Sequence, residues 1–321
     1  MIVVTGGAGF IGSCFIKKLN DEGVTDILIV DHLGTGDKWK NLVGKKFRTI
    51  LDKDAFIYGL EQGTFDEGVE QIVHLGACTK TTEKNADYLL ENNYHYSIKL
   101  ATHCINTDTR FVYASSAASY GLGEHGYDDR LFEQLRPLNM YGHSKHLFDL
   151  WVLQNGFDKR FTGLKYFNVF GPNEYHKADM ASMVYKAFQQ IKDTGKVKLF
   201  KSTTPQYNNG EQQRDFIYVK DVVAVMWNVL RDISFNGIYN LGTGEARSWN
   251  DLANAVFTAM KLEPVIEYVD MPEHLHVQYQ NYTQADMMRL NQTDAAIQYS
   301  VLEETVDDYV NGYLQSSWQY I

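Results

Sequence analysis

Tyr141-Gly-His-Ser-Lys145 holds a phenol and an ammonium group four residues apart. On a helix that spacing puts both side chains on one face. An ammonium beside a phenol favours the phenolate and lowers its pKa, so the pair reads as a proton shuttle for oxidising an alcohol. The plain alternative is an ordinary helix face, because Tyr-x-x-x-Lys is a common spacing. Two other stretches favour the chemistry: a glycine-rich loop opens the chain, and Ser115-Ser116 precedes the tyrosine.

The elements that must position these groups follow from the apolar pattern. Met1–Val4 is a short apolar run and reads as a buried parallel strand. Gly6, Gly9 and Gly12 follow it, then Phe15, Ile16 and Leu19 at helical spacing, with Gly23 as a stop signal. Ile27–Val30 is a second strand and ends at Asp31. Strand, glycine loop, helix, strand and acid in this order form a dinucleotide-binding unit. Gly6 allows the tight turn, Gly9 the close approach of a pyrophosphate, and Gly12 the packing of helix on strand. Asp31 favours NAD by binding ribose hydroxyls, whereas Lys38, Lys40 and Lys53 favour the 2′-phosphate of NADP; the residues alone leave both open.

Gln71–His74 reads as a further strand, leading into the small-residue loop Leu75-Gly76-Ala77-Cys78-Thr79. His74 reads as a packed strand-end residue. A helix is expected over Tyr88–Cys104, carrying Asn92 and Asn93, and a strand over Phe111–Ser116 delivers Ser115 and Ser116 to the sheet's carboxyl edge. The helix from Tyr141 to Asn155 has Leu147, Phe148, Trp151 and Val152 as its buried stripe. Thr162–Phe167 is a strand, and Asn168–Pro172 turns away into a second part. There, a helix over Met180–Lys192, a strand over Val197–Phe200 and a polar tract over Ser202–Gly210 are expected. Arg214–Val219 reads as a strand returning to the first part, Asp221 as the cap of a helix over Val222–Leu230, and Ile238–Leu241 as a last strand. Ser248 with Asp251, and Ser300 with Glu303, read as capping boxes.

The expected fold class is α/β: a Rossmann-like doubly wound parallel sheet with a smaller, interleaved α/β substrate domain. The first part comprises residues 1–168 and 213–242, the second residues 169–212 and 243–321. Length (321 residues) and a 44% hydrophobic fraction suit this plan. Net charge is −10 with no basic stripe, which argues against nucleic-acid binding. The three cysteines, Cys14, Cys78 and Cys104, match no zinc spacing, and an odd number argues against a disulfide framework. His274 and His276 lack a third ligand at motif spacing, so no metal site is expected. Neither a signal peptide nor a transmembrane run is recognisable, and a cytoplasmic setting is expected.

Five segments together resemble the extended short-chain dehydrogenases/reductases that act on nucleotide sugars. They are Thr5–Gly12, Tyr113-Ala-Ser-Ser-Ala-Ala-Ser-Tyr-Gly121, Tyr141-x-x-x-Lys145, Tyr166-Phe-Asn-Val-Phe-Gly-Pro172 and Arg214-Asp-Phe-Ile-Tyr-Val-x-Asp-Val222. His176-Lys177, Met180-Ala-Ser182 and Tyr279-Gln-x-Tyr-Thr-Gln-Ala-Asp286 are similar to the branch that epimerises ADP-heptose at carbon 6. The resemblance implies transient oxidation to a ketone by tightly bound NADP, a place in lipopolysaccharide core precursor synthesis, and a homo-oligomer, a pentamer in that branch. Tyr141 and Lys177 then handle protons on opposite faces of the sugar, Lys145 binds the nicotinamide ribose and tunes Tyr141, and Ser116 holds the reacting oxygen. Phe10, Ile11, Asp31, His32, Lys38, Lys53, Leu75 to Thr79, Asn92, Val169 and Lys177 correspond to cofactor contacts, and Lys38 with Lys53 tips the choice to NADP. Ser116, Asn168, Asp179, Lys186, Phe200, Lys201, Ser202, Thr203, Arg214 and Tyr279 correspond to substrate contacts. Arg214 has its own reason, since a guanidinium pairs bidentately with a pyrophosphate. The chain departs from the branch at Tyr175, where glycine precedes His-Lys, at Ala178-Asp179, where Gly-Ser follows it, at Lys186 in place of a histidine, and at Val277-Gln278. These departures keep two alternatives in view: another nucleotide-sugar epimerase or 4,6-dehydratase of the same superfamily, and a non-catalytic NADP-binding sensor.

Overall fold

Most of the apolar runs assemble into a seven-stranded parallel sheet whose inner strands are buried on both faces. The computed structural model describes residues 1–276 and 279–321, so the departure at Val277-Gln278 lies outside the described residues. Strands β1 (Ile2–Thr5), β2 (Ile27–Val30), β3 (Thr49–Leu51), β4 (Gln71–His74), β5 (Arg110–Ser116) and β6 (Thr162–Tyr166) all belong to the central sheet. Three strands then leave it: β7 (Asn168–Phe170), β8 (Val197–Phe200) and β9 (Gln213–Tyr218). β10 (Gly237–Leu241) returns as the seventh strand. The order is β10-β6-β5-β4-β1-β2-β3, with every neighbouring pair parallel. The order reverses between β1 and β4, and a crevice opens at the carboxyl ends of strands beside such a reversal.

Alternation along the strands supplies two layers. Ile2 and Val4 of β1 with Ile27 and Ile29 of β2 face Phe15, Ile16 and Leu19 of the helix Phe10–Asp21, which packs beside the helix Val219–Arg231. Val3, Leu28 and Val30 face the other way, toward Phe56, Leu100, Phe148 and Val152 from the helices Lys53–Glu61, Tyr96–Asn106 and Met140–Gln154. Helices thus cover both faces, as a doubly wound sheet requires.

The smaller part has two sheets. β7 pairs parallel with β9, and β9 pairs antiparallel with β11 (Ala246–Ser248); β12 (Ile266–Val269) pairs parallel with β8. Several local expectations change here. The strand carrying Arg214 does not join the central sheet; only the helix after it returns, to pack on the first helix. That helix begins at Val219 rather than being capped by Asp221. Asp221 lies in its first turn and accepts from Ser300 N–H (3.0 Å) and Ser300 Oγ (3.1 Å). Ser300 is therefore engaged elsewhere, no capping box forms with Glu303, and the helix Leu302–Tyr309 starts after Val301. Glu303 instead pairs with Arg247. The box at Ser248 and Asp251 does form, with both reciprocal bonds present. The helix expected from Met180 starts at Met183, capped by Ser182, and the helix around Asn92 passes through a π-helical segment at Leu90–His95.

Candidate active site

The glycine loop is shaped by contacts that no larger residue could make. Gly6 has φ +67°, and a Cβ there would lie 2.7 Å from the Gly76 nitrogen. A Cβ at Gly12 would lie 2.2 Å from the Gly6 carbonyl oxygen, so helix, turn and the second loop meet only because these residues lack side chains. The helix Phe10–Asp21 has no acidic residue in its first turn, which leaves its N-terminal dipole free to receive phosphates. Asp31, at the end of β2, accepts from Ala8 N–H (2.8 Å) and pairs with Lys38 (2.5 Å). Its charge is thereby balanced at the point where a ribose would sit.

Tyr141 is held from two directions. Asn139 caps the helix Met140–Gln154 by accepting from Gly142 N–H at 2.9 Å. A Cβ at Gly142 would lie 2.6 Å from the Ala118 carbonyl oxygen, so glycine lets this helix press onto the turn Ala117–Tyr120. That approach brings Tyr141 beside Ser116, both on the cavity wall. Lys145 is buried and donates to the Ala114 carbonyl at 2.9 Å. Burial pushes its ammonium down to about 8, partly opposed by Asp149. The expectation of a lowered tyrosine pKa is corrected: burial pushes the Tyr141 phenol up, and the neighbouring Ser116 hydroxyl only partly offsets it. Desolvation disfavours the charged form of both groups.

Beneath this pair lies a closed network. Asp149 and Lys165 are fully buried and pair at 2.6 Å. Asp149 also accepts from Ser115 Oγ (2.6 Å) and Tyr113 OH (3.1 Å), and Lys165 donates to Ser119 Oγ (2.9 Å). Of the serine pair, Ser115 thus turns its hydroxyl into the interior while Ser116 lines the cavity and accepts from Ala118 N–H at 3.1 Å. His74 behaves as a packed residue: it bonds Thr5 Oγ1 (2.6 Å) and Ser97 Oγ (2.9 Å), and burial holds its imidazole down at about 3.

Lys177 stands on a 3-10 turn, Tyr175–Met180, and lies over the Phe10 ring at 5.4 Å. Burial lowers its ammonium pKa, Glu174 opposes that shift, and Lys186 adds to it. Glu174 is fully buried and accepts from Ser182 Oγ (2.7 Å), Ser182 N–H (2.5 Å) and Tyr309 OH (3.1 Å). Ala178, next to Lys177, has φ +48° and ψ −120°, a conformation that costs a non-glycine residue about 1–3 kcal/mol. The buried amide of Asn41 joins this turn to the glycine loop, donating to the Ala8 carbonyl (2.9 Å) and the Asn173 carbonyl (3.1 Å), with His176 Nδ1 at 3.2 Å.

One cavity of about 860 Å³ brings most of the expected residues together. Gly6, Gly9, Phe10, Ile11, Gly12, Asp31, Lys38, Leu75, Gly76, Ala77, Thr79, Ser116, Tyr141, Lys145, Asn168, Val169, Lys177, Lys186, Phe200 and Tyr279 all line it. Others stand back. His32 is exposed beside Asp52 (3.3 Å), and Lys53 begins a helix and pairs with Asp54. The backbone of Cys78 is bonded by the Asn93 side chain, next to which Asn92 sits. Asp179 is exposed, and its carbonyl accepts from Lys186. Lys201 pairs with Asp270, Ser202 N–H bonds Asn209, and Thr203 is exposed. Arg214 is buried between Trp249 (5.5 Å) and Tyr279 (5.1 Å), both on the cavity wall, and burial lowers its guanidinium pKa. The wall also takes Lys198, Trp249 and Phe216, which no spacing in the sequence singles out. Their strands and helix come from three separate stretches. Among the described residues no cluster of three or more His, Cys, Asp or Glu side chains is arranged to hold a metal, and no helix is long and apolar enough to cross a membrane.

A glycine cradle at a sheet reversal thus shares one cavity with Tyr141 and Lys177. The family described as the NAD dependent epimerase/dehydratase family matches residues 2–242. The chain belongs to this family. A member annotated ADP-L-glycero-D-manno-heptose-6-epimerase, from Nitratidesulfovibrio vulgaris, is 50% identical over 319 residues, covering 99% of each chain. One of the same name from Fusobacterium nucleatum is 44% identical over 332 residues, covering all of both. The crystal structure of the Helicobacter pylori ADP-L-glycero-D-manno-heptose-6-epimerase superposes with a TM-score of 0.82 at 27% identity, covering 97% of this chain and 95% of that one. The epimerase family works with a nicotinamide dinucleotide, and the cradle at Gly6, Gly9 and Gly12 fits such a group.

Proposed function

We propose that this chain interconverts ADP-D-glycero-D-manno-heptose and its L-glycero epimer at carbon 6, in the making of a lipopolysaccharide core precursor. The observation that carries the reading is the presence of two proton-handling groups, Tyr141 and Lys177, on the wall of one cavity that also holds the glycine cradle. Full-length identity to curated heptose epimerases supports the substrate. A bound dinucleotide supplies a hydride acceptor that becomes the donor of the return step. Ser116 holds the reacting oxygen beside Tyr141, which takes the hydroxyl proton as the carbon is oxidised. Lys145 supplies the positive charge that favours the phenolate at that moment. Lys177, reached from the other side of the cavity, protonates the ketone oxygen when hydride returns to the opposite face. Lys38, paired with Asp31, supports NADP over NAD because it balances the acid that would repel a 2′-phosphate.

Residues 1–168 and 219–242 serve the cofactor and residues 169–218 and 243–321 the sugar nucleotide, the expected boundary at 213 moving to 219 because β9 pairs with β7 and β11. The setting is cytoplasmic and the assembly a homo-oligomer, a pentamer, which sedimentation velocity tests. Incubation with ADP-D-glycero-D-manno-heptose, with the epimers separated by chromatography, tests the reaction. No interconversion at full cofactor occupancy would sink it, and turnover of a UDP-, GDP- or dTDP-sugar instead would move the chain to another epimerase or a 4,6-dehydratase. Absence of hydride exchange with every sugar would make it a sensor. Mass spectrometry of the nucleotide released on denaturation decides between NADP and NAD.

A further inference from the structure

We infer that residues Gln319–Ile321 are a positioning strap for Lys177, an inference that rests on the reading of Lys177 as the second proton-handling group. The strap reaches the turn at three points. Tyr175 OH, two residues before Lys177, donates to the Gln319 carbonyl at 2.6 Å, and the Tyr320 ring meets the Tyr175 ring edge-on at 5.3 Å. The Ile321 N–H donates to Asn173 Oδ1 at 3.1 Å. On its far side the strap is anchored to the cofactor part, because Lys45 donates to the Ile321 carbonyl at 2.6 Å.

The turn needs such support. It is a 3-10 segment interrupted by the positive φ of Ala178, with single backbone bonds from Lys177 N–H to Glu174 (2.9 Å) and from Ala181 N–H to Ala178 (3.0 Å). From below, Glu174 and Asn173 fix its start: Glu174 through Ser182 and Tyr309, Asn173 through its own bond to Ser13 Oγ at 2.9 Å. Lys186 donates to the Asp179 carbonyl at 2.6 Å and Asn41 lies 3.2 Å from His176 Nδ1, while the strap's aromatic and carbonyl groups close over Tyr175. Lys177 reaches the cavity from a segment clamped between a buried carboxyl and the last residues of the fold, so its placement depends on both clamps. A misplacement of about 1 Å at a reacting group costs about a hundredfold in rate.

Two variants test this in the full-length, cofactor-loaded protein: a chain ending at Ser316, and Tyr175→Phe, which removes one hydroxyl and keeps the ring. The first measurement is acetylation of lysine ε-amines by acetic anhydride, followed by peptide mass spectrometry. Lys177 is expected to label about fivefold faster in the shortened chain, and measurably faster in Tyr175→Phe, with Lys145 unchanged, because local opening exposes one segment and not the whole cleft. Wild-type labelling of Lys177 in both variants, or a parallel rise at Lys145, overturns the strap. The second measurement is epimerisation: kcat falls by about tenfold or more with KM within about twofold, and no further loss appears when the truncation is added to Lys177→Met. An equal loss in that background overturns it. Failure of the intact chain to epimerise would defeat the proposed function and leave the labelling result to judge the strap.

Discussion

The two sides of the cavity are built in opposite ways. Tyr141 sits in a capped helix pressed onto a strand end, with a glycine, Gly142, placed where a side chain would collide with Ala118. Lys177 sits on a 3-10 turn in which an alanine, Ala178, takes a conformation suited to glycine. Below Tyr141 a closed buried network joins Asp149, Lys165, Ser115 and Ser119; below Lys177 the buried carboxyl of Glu174 and the amides of Asn41 and Asn173 do the holding. Tyr141 is fixed by secondary structure and Lys177 by tethers. The difference teaches that regular elements secure a phenol through their own periodicity, whereas a lysine on a turn needs contacts brought from distant parts of the chain.

That contrast can be broken at its centre. Tyr141→Phe and Lys177→Met should each lower kcat by about 10²–10⁴-fold while leaving the cofactor bound, the span expected for removal of a general acid–base group. Steady-state turnover with cofactor content measured in parallel checks both, and near-normal turnover in either removes that residue from its role. Next in size is Asp149→Asn. It leaves the buried Lys165 ammonium unpaired and should destabilise the fold by about 3–5 kcal/mol in urea unfolding, a loss that an unimportant network would not produce.

A third test uses acid. Burial holds His74 at about 3 on the Tyr141 side and His176 at about 4 on the Lys177 side, both below the usual 6.5. Between the folded and unfolded values the unfolded chain binds more protons, so stability rises with pH there and is lost as pH falls from about 6.5 toward 4. Each site contributes at most about 1.4 kcal/mol per pH unit. His74→Gln and His176→Gln should each flatten the stability–pH curve by close to one proton; an unchanged slope in either would show that its imidazole is not held neutral. The smallest effect is expected for Ala178→Gly. Relief of the positive φ is offset by added chain freedom, so thermal unfolding should show a gain of no more than about 1 kcal/mol. Gly142→Ala should move the other way, since its Cβ would lie 2.6 Å from a backbone oxygen.

Legibility in the sequence divides along the same line. Six of the seven strands of the central sheet, the glycine turn, the acid after β2 and the Tyr141–Lys145 face follow from short-range periodicity and spacing; the edge strand β3, three residues long and only partly buried, carries no such signal. Lys177 carries no local signature; only resemblance to a family singles it out, and its environment is made by Glu174, Asn41 and Tyr175, which lie apart in the chain or have no motif of their own. The capping expectations failed at Asp221 and Ser300 for one reason: those two residues bond to each other across the fold, and a reading restricted to neighbours in sequence assigns each to its own helix. The lowered phenol pKa failed because spacing reports that Lys145 is near but not that both groups are dry. Lys198, Phe216 and Trp249 reached the cavity wall through tertiary packing alone.

The late return of β10 has a consequence during synthesis. β6 is complete at residue 166, yet the strand that covers its open edge begins at Gly237. At roughly 5–20 residues per second the ribosome spends several seconds making the interval. Throughout that time the nascent sheet presents an uncovered row of parallel-strand hydrogen-bonding groups to whatever else is in solution. The segment made in the meantime includes the turn of Lys177, so that turn emerges before the sheet beside it is closed.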